Sequence, residues 1–220
     1  MINLKDITLV CVTSVKIEKS VEAMLHSARE IDFAKLKLIT SEDVIVDSKI
    51  EVETCRKLTS LQDYSHFILY DLYKHIDTEF CLIVQHDGKV TSPHLWNPKF
   101  LEYDYIGAPW PLPGTDWMPN HRYMNASGEI LDSFSDKYRV GNGGFSIRSK
   151  KLLTTPNRIS ISIEDCVSEK GYFYTPNEDW IICIYNRHLY EKDGNVFAPY
   201  DVSNIFSKEW GSHKTFGKHR

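Results

Sequence analysis

"CLIVQHDGKV" (residues 81–90) is the stretch on which the fold turns. Cys81 to Val84 form a short apolar run with β-branched members, and such a run reads as a strand covered on both faces of a parallel sheet. It then gives way to an amide, an imidazole and a carboxylate, Gln85-His86-Asp87, followed by Gly88. A plain turn after a strand accounts for Asp87-Gly88 taken alone. What precedes the run suggests more.

Reading back toward the N-terminus, "LTSLQDYSHFILYDLYKHI" (58–76) has the longest helical periodicity in the chain. "AKLKLIT" (34–40) is a strand pattern ending at Ser41-Glu42-Asp43. "EKSVEAMLHSAREI" (18–31) is an amphipathic helix pattern with Ser20 as a candidate cap, and "ITLVCVTS" (7–14) is a first strand. Strands alternating with helices predict βαβ units: an α/β fold with a mostly parallel, twisted central sheet flanked by helices. In such sheets ligands gather outside the carboxyl ends of the strands. Thr13-Ser14, Ser41-Glu42 and Gln85-His86-Asp87 are therefore expected along one rim.

Composition narrows the class. The 220 residues are 42% hydrophobic and 25% charged, which is ordinary for a globular protein with a sizeable core. A formal net charge of -4 offers no basic field for nucleic acid. No apolar stretch approaches the roughly 20 residues of a membrane span. "MINLKDITLVCVTSV" lacks a charged leader and a small-residue cleavage site, so a cytoplasmic protein is expected. Cys11, Cys55, Cys81, Cys166 and Cys183 are scattered and odd in number, which predicts reduced core thiols.

The second half changes character. Residues 100–129 are aromatic and proline-dotted, the composition of a long loop region folded over a sheet. "VGNGGFSIR" places Gly141, Gly143 and Gly144 around Asn142, ahead of a strand-like "FSIR". Two readings stand for these glycines: backbone amides brought close to a ligand, or a tight turn. The sequence ends neither as a Walker loop nor as GxGxxG. In "NEDW", Asn177 is a candidate helix cap with Glu178 and Asp179 in the first turn, a placement that helix dipoles favour without any catalytic role.

Taken in order, "QHDG", "YDYIGAPW", "VGNGGFSIRSKKLL" and "NEDW" resemble a glycosyltransferase-like family, formerly an uncharacterised domain family. Its members carry Q-x-D after a hydrophobic strand, then DYIGAPW, GNGGFSLR and an acidic pair. The family is similar to the GT-A class of nucleotide-sugar transferases, and the likeness covers about residues 60–220. It implies a single GT-A-like (Rossmann-like) domain over 1–220, with a nucleotide-binding half (1–100) and an acceptor-side, catalytic half (101–220).

The resemblance also implies a nucleotide-diphosphate sugar, UDP-sugar favoured, as donor and a glycan or other hydroxyl acceptor, in glycan or polysaccharide synthesis. Thr13, Ser14 and Val15 would hold the nucleotide, with Tyr64 and Ser65 as weaker choices on the long helix. Gln85, His86, Asn142, Gly143 and Gly144 would line the donor sugar, and Asp104, Trp110 and Trp180 the acceptor. Within "DYIGAPW", Tyr105 and Ile106 are expected in the core.

Charge developing on the leaving phosphates calls for a divalent cation, Mn²⁺ or Mg²⁺, on oxygen ligands. The D-x-D common in this class is departed from, since Gln85 replaces the first Asp and leaves Asp87 as carboxylate. "FSKEWGSHKTFGKH" offers His219 as a second ligand, with His213 as second choice; a frayed basic tail is the alternative. Inverting transfer needs a base on the far side of the sugar, and Asp179 matches it, with Glu178 as a hydroxyl ligand. Two rivals remain. A sugar nucleotidyltransferase would carry a glycine- and lysine-rich loop after the first strand, where "VTSVKIEKS" has lysines but no glycine. A non-catalytic sugar-binding module would be compatible with Gln85.

Overall fold

A computed structural model describes residues 1–112, 114, 123–163 and 177–220. The strands are β1 (Ile2–Val12), β2 (Ile31–Thr40), β3 (Ile50–Thr54), β4 (Phe80–Val84), β5 (Gly88–Val90), β6 (Tyr105–Pro109), β7 (Tyr123–Met124), β8 (Ile130–Leu131), β9 (Val140–Ser149), β10 (Ser207–Lys208) and β11 (Gly217–His219). Among the helices, α1 (Ile17–Ser27) and α2 (Leu61–Tyr70) belong to the first half. The second half holds α3 (Lys150–Arg158), α4 (Glu178–Trp180), α5 (Arg187–Lys192) and α6 (Tyr200–Phe206).

Six strands form one sheet in the order β3-β2-β1-β4-β9-β6. The first-half pairs, β3·β2, β2·β1 and β1·β4, are parallel. β9 runs antiparallel to both β4 and β6. The sheet is therefore mixed, which corrects the expectation of a mostly parallel one. Parallel neighbours need a covering crossover, and helices such as α1 supply it in the first half. No α-helix among the described residues separates β6 from β9, only a 3₁₀ turn over Asp136–Arg139, and these two strands pair antiparallel.

The opening run behaves as its composition requires. Leu82 and Val84 pack with Leu9 and Cys11 on one face, while Cys81 and Ile83 pack with Val10 and Val12 on the other. Both faces are buried, with α1 residue Met24 in the first cluster and α2 residues Phe67 and Ile68 in the second. Cys11, Cys81 and Cys183 are buried free thiols and Cys55 is a half-buried one; Cys166 lies outside the described residues.

Several boundaries shift. α1 starts after Lys16, which sits in the left-handed region (φ 52°), and Ser20 lies inside the helix with its hydroxyl donating to the Lys16 carbonyl. Ser20 is thus not the cap. α1 ends at Ser27 because Ile31 already opens β2. The 58–76 pattern splits into α2, capped by Ser60 accepting from the Asp63 N–H, and a short 3₁₀ turn over Leu72–His75.

The glycines of β9 are extended and make no turn. They are small because their neighbours are close. A Cβ at Gly143 would stand 2.5 Å from Glu178 Oε1, one at Gly144 would overlap the His219 ring, and one at Gly141 would overlap the Trp110 ring. The last residues are a strand rather than a frayed tail: β11 pairs antiparallel with β5 and parallel with β10. Phe216, just before β11, is fully buried against Phe100, Phe145 and Phe206. No helix among the described residues is long and apolar enough to cross a membrane.

Candidate functional site

At the carboxyl ends of β1 and β4, where β9 begins, a cavity of about 650 Å³ opens. Thr13, Ser14, Val15, Tyr64, Gln85, His86, Trp110, Asn142, Gly144, Glu178, Asp179, Trp180 and His219 line it. Gly143 joins through its backbone, donating its N–H to Asp179 Oδ2 at 2.9 Å. Ser41 reaches the rim only indirectly, 3.0 Å from Ser14 through their hydroxyls.

Three predicted residues are outside this lining: Asp87, which borders a neighbouring cavity, and Asp104 and His213, which lie farther away. Asp104 precedes β6 at the opposite end of the sheet, where its carboxylate accepts from Ser149 (2.6 Å), Lys151 (3.0 Å) and the Val196 N–H (2.8 Å). That is a fastening between strand ends, not a cavity wall. His213 is exposed and lies 3.1 Å from the Asn204 carbonyl oxygen, away from the cavity.

The acidic pair stands on one wall. α4 is a three-residue helical start running into a π-helical turn over Ile181–Tyr185, which sets Glu178 and Asp179 against β9. The Glu178 N–H donates to the buried Ser65 hydroxyl at 3.1 Å, so Ser65 acts as a support. Glu178 Oε1 accepts from Arg148 at 2.7 Å, and Arg148 is fully buried over the Tyr105 ring. Asp179 accepts from the Gly143 and Trp180 N–H groups. Burial first, and then the neighbouring Glu178, push its carboxyl up to about 7. A buried carboxyl that titrates near neutrality is suited to taking a proton.

The opposite wall carries Gln85 and His219, with Asp87 behind His219 on the side of a neighbouring cavity. Gln85 Nε2 donates to the Tyr64 hydroxyl (3.1 Å), leaving its Oε1 3.3 Å from His219 Nε2. His219 Nε2 is also 3.3 Å from Asp87 Oδ1, an oxygen buried without a hydrogen-bond partner among the described residues. The His219 contact is the main reason the Asp87 carboxyl falls to about 2. Carboxylate oxygen, imidazole nitrogen and amide oxygen facing one another, with an orphaned lone pair, fit a divalent cation. Among the described residues no group of three His, Cys, Asp or Glu side chains forms a complete cage. A cation here would draw further oxygens from a ligand, as Mg²⁺ does from phosphates.

Above these walls Trp110 and Trp180 lie 5.6 Å apart, tilted by 31°, and Tyr123 meets Trp180 edge-on at 5.0 Å. Several lining residues carried no usable signal in the sequence. Leu58 to Ser60 enter from the loop before α2, Leu61 from its first turn, and Glu209, Trp210 and Arg220 from the last segment. Arg220 lies over the Trp210 ring, 3.3 Å from Glu209, and donates its N–H to the Asp87 carbonyl. Lys16 spans to His86, with Nζ 2.9 Å from Nε2.

Residues 48–219 match a family described as "Protein of unknown function (DUF5672)". The chain belongs to this family. No curated protein matches it. The family match runs from before β3 to His219, so it takes in Gln85-Asp87, Asn142-Gly144, Glu178-Asp179 and His219. It leaves out Thr13 to Val15, although these share the cavity.

Proposed function

We propose that this DUF5672 chain is a glycosyltransferase of GT-A type that moves a sugar from a nucleoside-diphosphate sugar to a hydroxyl acceptor with inversion. One observation carries the reading: Asp179, pushed toward neutrality, shares with Gln85 and His219 a single cavity large enough for such a donor, and the Asp87 carboxylate lies behind His219, 3.3 Å from its Nε2. In this reading the nucleotide lies along Thr13 to Val15 and Tyr64, and the sugar over the Asn142–Gly144 backbone. Trp110 and Trp180 border the acceptor, whose apolar C–H surface suits aromatic faces.

The chain's own groups divide the work. Asp179 removes the acceptor hydroxyl proton as that oxygen attacks the anomeric carbon; the two backbone N–H groups hold the carboxylate in place. Glu178, fixed by Arg148, orients a hydroxyl. Asp87 and His219, aided by Gln85, would hold a Mn²⁺ or Mg²⁺ ion, which when bound neutralises charge on the departing diphosphate.

The alternative reading is a sugar-binding module without transfer, favoured by the Gln85 amide, which is engaged with Tyr64 where a second carboxylate would serve a metal better. A thermal-shift panel decides. UDP-, GDP-, CMP- and dTDP-sugars are tested with and without Mn²⁺ on wild type and Asp87→Ala. A ligand that binds only the folded state at 100 times its Kd adds about 2.7 kcal/mol. A metal-dependent rise with one nucleotide, lost in Asp87→Ala, together with product formation, supports transfer. A rise with no turnover favours the module, and no rise with any nucleotide sinks the transferase and leaves the sugar-binding module as the better account.

A further inference from the structure

A second cavity, of about 500 Å³, adjoins the first and shares His86 and Arg220 with it. Its wall carries five cations, Lys19, Arg29, Lys89, Lys218 and Arg220, against the carboxylates of Glu22 and Asp87. This is a concentrated positive field on a chain whose net charge is -4. Much of the local counter-charge is already engaged: Asp87 faces His219 and His86, and Arg220 faces Glu209. Glu22 is left among four lysine and arginine side chains.

The strand geometry concentrates the charge. Lys218 and Lys89 are direct partners across the antiparallel β11·β5 pair. Like charges placed opposite one another in a sheet are destabilising, and these two are half-buried. β11 alternates its faces: His219 enters the first cavity and Lys218 the second. α1 closes the opposite side, with Lys19, Glu22 and His26 on one stripe at helical spacing. His26 is pushed down by burial and then by Lys89, Arg29 and Lys218, the same field sensed by a neutral imidazole.

We propose that this second cavity is a binding site for a phosphate-class oxyanion, held by Lys89, Lys218, Lys19 and Arg29 beside the candidate transfer site. A multiply charged, multiply accepting group relieves the Lys89–Lys218 repulsion and engages several donors at once. The anion is either free, as phosphate or diphosphate, or borne as a phosphomonoester on a larger ligand. The inference stands on the charge and shape of this cavity and not on the reading of its neighbour.

Isothermal titration with inorganic phosphate, pyrophosphate and glucose 6-phosphate tests it, at fixed ionic strength and with EDTA present so that no metal bridges an anion to Asp87. Saturable binding is expected, weakened at least tenfold in Lys89→Gln/Lys218→Gln. Without ligand, that variant melts at the wild-type temperature or higher, because a repulsion has been removed; a merely structural lysine pair would lower it. Lys19→Gln/Arg29→Gln, on exposed positions, repeats the test should the first variant fail to fold. Tighter binding of the ester than of inorganic phosphate assigns the site to a ligand-borne group, and the reverse order to a free anion. Absence of saturable binding by all three, or unchanged affinity in both variants, overturns the proposal. Failure to bind nucleotide sugars in the metal-containing panel leaves this outcome untouched.

Discussion

Asp179 and Asp87 are displaced in opposite directions, one pushed up to about 7 and the other drawn down to about 2 from an ordinary 3.8. The signs have separate consequences for stability. Folded Asp179 holds its proton where the unfolded chain has lost it, so it lowers stability as pH rises from about 4 to about 7. Folded Asp87 is ionised where the unfolded chain is protonated, so its contribution is present above pH 4 and lost as pH falls toward 2. Melting curves across pH should show the first slope flattened in Asp179→Asn and the second in Asp87→Asn. Under the proposed role of Asp179 as base, activity follows its ionised form: an acid limb in the neutral range is expected, and Asp179→Asn should lower kcat by about 10²–10⁴-fold, the usual contribution of a general base.

Arg148 makes a second residue-scale test. It is fully buried, with its NH2 on Glu178. Arg148→Met strands the Glu178 carboxylate and should cost about 3–5 kcal/mol in urea unfolding, while adding Glu178→Gln should recover much of that loss.

At the scale of elements, glycines leave room for the side chains packed between β9 and β11. A Cβ at Gly144 would overlap the His219 ring, one at Gly217 the Phe145 ring, and one at Gly107 of β6 the Asn142 backbone carbonyl. Gly144→Ala must displace His219 or the strand that carries it. An overpacking loss of about 1–3 kcal/mol is expected, together with loss of any Mn²⁺-dependent thermal shift. Gly107→Ala presses on backbone, which yields less than a ring, and should lower the melting temperature further. From the sequence, the glycines around Asn142 had two readings, a turn or an approach to ligand. The packing gives Gly141 and Gly143 another reason, the closeness of Trp110 and of Glu178, and this could not be read off spacing because the crowding residues are remote in the chain.

Across the whole molecule, the last strand ties the site to the core. Phe216 packs among Phe100, Phe145 and Phe206, and β11 then delivers His219 to Asp87. A chain ending at Thr215 loses that ring. Removing a buried Phe costs about 3–5 kcal/mol, a large share of a typical 5–15 kcal/mol total. Its urea midpoint should fall well below that of His219→Ala, which keeps Phe216. Equal midpoints for the two would mean that the tail is not part of the core.

The sequence by itself determined the local features: the apolar runs of β1, β2 and β4, the helices that follow β1 and precede β4, and the polar rim at Thr13-Ser14 and Gln85-Asp87. Periodicity reports which face of an element is buried, and a strand–helix–strand order carries its own handedness and direction. Tertiary structure alone decided that β9 runs antiparallel, that Asp104 fastens the far end of the sheet, and that Lys89 lies opposite Lys218. It also turned the last residues into a strand. Strand direction, register and pairing between distant segments are set by loop closure and by which surfaces fit when the core closes, and no periodicity within a segment records its partner.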